Sequence, residues 1–174
     1  MEKLVEAAKS ADYPALICGV LSDMAEAAGL KFAAAHGIST AAIERKDFAD
    51  KAAHEAAVQK QLEIWNTEFV VLAGFMRVLS PEFVGMWQGR MINIHPSLLP
   101  KYKGLHTHAR ALEAGDKEHG CSVHFVTAAL DDGAVIAQAT VPVLPGDTEA
   151  SLAARVLIEE HKLYAKALAQ ILKN

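Results

Sequence analysis

Residues Ile92–Gly104 read INIHPSLLPKYKG, and Met91 stands in front of them. MINIH places Asn93 and His95 between apolar neighbours, the alternation of a strand, and the prolines and glycine that follow end regular structure. Side chains two apart on a strand project to one face, so Asn93 and His95 point together at the strand's carboxyl end. What precedes and follows that strand decides which fold carries it.

Upstream, ALICGVL (15–21) and FVVLAGF (69–75) are short continuous apolar runs, the mark of strands covered on both faces. TAAI, after Ser39, is a weaker strand. Helical patterns separate them: residues 2–11, an Ala-rich run over about 24–35, and a segment from Asp47 to about Trp65 with Phe48, Ala52, Ala56 and Leu62 facing inward. Ser80 caps a helix with Pro81 at its first position, and Gly89 ends it. Strand–helix alternation of this kind predicts an α/β fold with an open, mostly parallel twisted sheet and helices on both faces. CSVHFV (121–126) and VIAQATVPV (135–143) lie too close in sequence for a crossover helix, which predicts an antiparallel C-terminal hairpin. A long helix capped by Asp147 closes the chain.

At 174 residues the chain has the length of one well-buried domain. A formal charge of −4, with both signs interspersed, argues against nucleic-acid binding. No apolar run approaches the roughly 18 residues needed to cross a bilayer, and the start of the chain does not read as a signal peptide. Cys18 and Cys121 sit in apolar runs and read as small buried hydrophobes in a reducing cytosol, so a cytoplasmic location is expected. Nothing in the sequence sets an oligomeric state.

In open α/β sheets, ligands bind beyond the carboxyl ends of the strands, where Asn93 and His95 lie. An amide and an imidazole N–H side by side suit a developing oxyanion in acyl transfer. A carboxylate to orient the histidine or take a proton completes such a site. LDDG offers Asp131 and Asp132, although Asp-Gly by itself reads as a turn, and spacing alone leaves the role of Asn93 and His95 open. His106 and His108 lack the companions of a metal site, and no metal is expected. His124, inside an apolar strand, reads as a core residue. GxSxG is absent, which argues against covalent catalysis.

Four stretches carry a resemblance: NIHPSLLPKYKGLHTHARALEAG (93–115), LAGFMRVLSPEF (72–83), HGCSVHFVTAALDDG (119–133) and LPGDTEASLAARV (144–156). Together they resemble the phosphoribosylglycinamide formyltransferases, folate-dependent enzymes of purine synthesis, over essentially the whole chain. The resemblance implies a Rossmann-like formyltransferase fold and transfer of a formyl group from 10-formyltetrahydrofolate to the amine of glycinamide ribonucleotide. It implies that Asn93 and His95 polarise the formyl oxygen and that Asp131 holds the histidine or relays the amine's proton. Met76, Arg77, Val78 and Leu79, aided by Val126 and Leu130, match the segment that holds the pteridine. Glu160 matches a residue meeting the substrate amine or amide end, Lys51 a basic residue near the phosphate, and Ser97 the nucleotide side.

Members of that family open with a strand and a Gly-x-Gly-Ser-Asn turn that holds the substrate phosphate at a helix N-terminus. Here Met1 falls near the start of that helix, so the resemblance describes a single domain, 1–174, shortened at its front. Ala134 stands where many members have proline. The core Asn-x-His-x-Ser-Leu-Leu-Pro is shared with formyltetrahydrofolate deformylase and methionyl-tRNA formyltransferase. Those activities, and an inactive chain that binds folate alone, are the alternatives.

Overall fold

A computed structural model describes residues 1–173 of the chain, which divides into two compact units, Met1–Phe69 and the residues from Val70 onward.

In the first unit, α1 (Glu2–Ala7) precedes β1 (Val20–Ser22), α2 (Ala28–Ala35), β2 (Thr40–Ala42), a 3-10 turn (Arg45–Asp47) and α3 (Lys51–Ile64). β1 and β2 pair in parallel from Val20↔Thr40 to Ser22↔Ala42. That ladder is three residues long, so the strand expected over 15–21 is regular only at its end. Leu16 is exposed, and so is Cys18, contrary to its reading as a buried hydrophobe. The Cys18 thiol lies 3.5 Å from the Thr67 hydroxyl. α3 begins later than Asp47, because the Asp50 carboxylate accepts the Ala53 N–H at 2.8 Å and fixes the first turn there. Its buried face carries His54, Glu55 and Leu62, while Ala52 and Ala56 are exposed. His54 holds an inward position because its Nε2 donates to the Ile43 carbonyl at 2.8 Å, which satisfies a polar ring in the interior.

The second unit contains β3 (Val70–Leu72), α4 (Pro81–Met86), β4 (Met91–His95), α5 (Thr107–Glu113), β5 (Glu118–Phe125), β6 (Val135–Pro142) and α6 (Glu149–Leu172). α4 starts as expected: the Ser80 hydroxyl accepts the Phe83 N–H at 3.1 Å with Pro81 at the first helical position. The sheet order is β3-β4-β5-β6. β3 and β4 are parallel, and β5–β6 is the expected antiparallel pair. β4–β5 is antiparallel too, so antiparallel pairing reaches inward past the hairpin as far as β4. The register sets Asn93 opposite His124 and His95 opposite Ser122.

Cys121, Val141, Leu152 and Val156 form a buried cluster between this sheet and α6. α6 is capped by Thr148, one residue after the expected Asp147, in a capping box with Ser151. Asp147 instead accepts the Leu144 N–H and pairs with Arg155, which holds its carboxyl well below the usual carboxylate range. The Tyr164 hydroxyl donates to the carbonyl oxygens of Leu72 at 2.6 Å and Ile92 at 3.2 Å, tying α6 to β3 and β4. Tyr164→Phe keeps the ring and removes that tie. It should lower stability by about 1–3 kcal/mol, the cost of leaving buried acceptors short of a donor. Urea unfolding of the two proteins measures the difference, and equal midpoints would count against the tie.

Candidate active site

Because β4 and β5 run antiparallel in this register, the polar positions of one face those of the other. His124 is 2% exposed, and its Nδ1 lies 2.9 Å from the Phe125 carbonyl oxygen. A carbonyl only accepts, so Nδ1 carries a proton, and burial lowers the ring's pKa and keeps it neutral. Nε2 is therefore an acceptor, and the Asn93 amide nitrogen donates to it at 3.3 Å. His124 thus fixes the orientation of Asn93. Its reading as a core histidine missed this role, although Ser122 and His124 interrupt the β5 apolar run with the same period as Asn93 and His95 in β4.

His95 is buried, and its Nε2 donates to the Tyr102 carbonyl at 2.9 Å. Nδ1 then turns to Asp131, 3.4 Å from Oδ2. Asp131 Oδ1 lies 3.6 Å from His124 Nε2, so one carboxylate faces both rings. The Gly104 N–H also donates to Asp131 Oδ2, at 2.9 Å. Asp131 sits at φ 48°, a left-handed backbone that aspartate tolerates better than most side chains. The loop approaches the sheet so closely that a Cβ on Gly133 would lie 1.7 Å from the Phe125 carbonyl oxygen. Asp-Asp-Gly is therefore a turn, and the turn aims the carboxylate. Asp132 points away to Lys103 in an exposed ion pair.

Asn93, His124 and Asp131 line one side of a cavity of about 90 Å³. Leu72, Phe75, Val84 and Thr127 contribute to its walls beside the expected Arg77, Val78, Leu79, Val126 and Leu130. Met76 does not line it and is 81% exposed. Ser97 is fully buried and spends its hydroxyl on the Lys101 carbonyl at 2.6 Å, so it braces the loop after β4. Glu160 lies on α6, where burial pushes its carboxyl up, outside the cavity lining. Lys51 belongs to the first unit and opens α3, with its ammonium 3.9 Å from Glu55. Among the described residues no group of three or more His, Cys, Asp or Glu side chains is placed to hold a metal ion.

The formyl transferase family matches residues 1–168. The chain belongs to that family. Among other formyl transferases, it is 47% identical over 164 residues to phosphoribosylglycinamide formyltransferase of Escherichia coli, covering 94% of this chain and 77% of the relative. It is 43% identical over 168 residues to the human trifunctional purine biosynthetic protein adenosine-3, covering 97% of this chain and 17% of that longer protein. The crystal structure of phosphoribosylglycinamide formyltransferase from Brucella melitensis superposes with a TM-score of 0.95 at 52% identity, covering all of this chain and 90% of the other. The fold is thus the Rossmann-like α/β fold of the formyl transferases, with parallel strands and helices on both sides of the sheet.

Proposed function

We propose that this chain transfers the formyl group of 10-formyltetrahydrofolate to the amine of glycinamide ribonucleotide, a step of purine synthesis. The observation that carries the reading is the cluster of Asn93, His124 and Asp131 at the cavity wall, with His95, outside the lining, facing the same Asp131 carboxylate. The names of the relatives state the same reaction class and pathway. A family match running unbroken from residue 1 to 168 supports both units acting as one formyltransferase domain. The chain's negative charge favours two small-molecule substrates over nucleic acid. No described helix is long and apolar enough to cross a membrane, and we place the enzyme in the cytoplasm.

The apolar walls around Leu72, Val78, Leu79 and Val126 suit a flat pteridine ring, with Arg77 and the loop backbone to hydrogen-bond its edge. Glu160 serves the nucleotide, its carboxyl meeting the amine or amide end. The amine attacks the formyl carbon, and the C=O electron pair moves onto oxygen. Asn93 Nδ2 uses one hydrogen on His124 and offers the other to that oxygen. His95 Nε2 donates to the Tyr102 carbonyl, which leaves Nδ1, facing the Asp131 carboxylate, as the nitrogen open to a proton. Asp131 takes the proton lost by the attacking amine, directly or through one water. Asp131 passes that proton to His95 Nδ1. The oxyanion collapses, the bond from carbon to folate N10 breaks, and N10 takes the proton from Nδ1, which resets the site.

Steady-state assays test this reading against a deformylase. Folate product should appear at a rate that depends on glycinamide ribonucleotide. Equal release of formate in its absence would overturn the assignment of the acceptor.

A further inference from the structure

Formyl transfer as proposed needs His95 with Nε2 protonated and Nδ1 toward Asp131, and the group that enforces this is the Tyr102 carbonyl. Tyr102 does not hold its position by regular structure. It lies in the loop between β4 and α5 at φ 56°, a backbone that aromatic residues adopt only under constraint. Ser97 braces the preceding peptide through the Lys101 carbonyl, and the Tyr102 side chain anchors the residue further. The hydroxyl donates to Asp116 Oδ2 at 2.8 Å. The Arg110 guanidinium lies over the ring at 5.2 Å, and the buried His119 meets its edge at 6.1 Å.

Asp116 is itself fixed by the end of α5. Gly115, at φ 66°, gives its N–H to Leu112, and Asp116 gives its N–H to Ala111. This pair of bonds is a Schellman motif, which turns the chain back sharply after the helix. The turn leaves the Asp116 carboxylate beside the loop, where it also receives Lys101 Nζ at 3.0 Å. Lys101 and Tyr102 together hold its carboxyl below the usual carboxylate range. A helix terminus, a carboxylate, a phenol and a peptide carbonyl thus run in sequence to His95.

We propose that Asp116 is a positioning residue for formyl transfer: through the Tyr102 hydroxyl it holds the Tyr102 carbonyl on His95 Nε2 and so sets the tautomer and orientation of that ring. This rests on the formyl-transfer reading above. Asp116 touches no reacting atom and acts only through Tyr102.

The test uses Asp116→Ala, Asp116→Asn and Tyr102→Phe in the full chain. Asp116→Ala should lower kcat about tenfold, in the range that misplacing a reacting group costs, with KM for both substrates little changed. Asparagine keeps an acceptor for the phenol, so Asp116→Asn should recover most of the rate. In a Tyr102→Phe background, Asp116→Ala should cost nothing further. Histidine side-chain nitrogen NMR gives the second readout: His95 should be protonated at Nε2 in the parent and a mixture of tautomers in Asp116→Ala. An unchanged His95 spectrum overturns the proposal whatever happens to the rate. So does a full further loss in the Tyr102→Phe background, which would assign the effect to the Lys101 pair. If the parent chain transfers no formyl group, the formyl-transfer reading fails, while the His95 spectrum still decides whether Asp116 positions the ring.

Discussion

His95→Ala should lower kcat for formyl transfer by about 10²–10⁴, the range for losing a positioned acid–base group. The ring is buried with Nε2 on the Tyr102 carbonyl and Nδ1 toward the Asp131 carboxylate, and no neighbouring side chain can take that place. The substitution also leaves the Tyr102 carbonyl without its donor, so stability should fall by about 1–3 kcal/mol. Circular dichroism and a thermal melt verify that the protein assayed is folded. Near-parent turnover by the folded variant would remove His95 from the mechanism.

Asp131→Asn should depress kcat by about 10²–10⁴, the range for losing a positioned acid–base group, whereas Asp132→Asn should stay within a few-fold of the parent. The two aspartates are neighbours in one turn, and the comparison separates chemistry from turn formation. Asparagine tolerates the left-handed backbone at position 131 and its amide oxygen still accepts the Gly104 N–H, so the turn survives while the charge facing His95 and His124 is lost. Asp132 loses only an exposed, solvent-screened pair with Lys103. Parallel kcat measurements decide the matter, and equal losses would return Asp131 to a structural role.

The elements readable in the sequence were those set by local chemistry. Ser80 and Pro81 start a helix because a hydroxyl accepts an orphan N–H and proline needs none. Asn93 and His95 share a strand face because the period is two. The role of His124 depends on a register that joins residues 31 apart in sequence, and no local pattern specifies it. The two readings of Asp131 could not be separated either, since the same Asp-Asp-Gly makes the turn and aims the carboxylate. In the first unit, apolar content suggested longer strands than form, because only three residues of β1 find ladder partners on β2. The inward face of α3 was misjudged for a different reason: His54 has a carbonyl to bond, and so a polar ring takes a position that alanines were expected to fill.

The most direct test of the central claim is a single turnover with 10-formyltetrahydrofolate labelled in its formyl carbon, mixed with the chain and glycinamide ribonucleotide and quenched over time. Direct attack predicts that the label passes from folate to the ribonucleotide amine and is never bound to protein, with the passage slowed in Asp131→Asn. Label on the protein, or label recovered as formate with none on the ribonucleotide, would contradict the account.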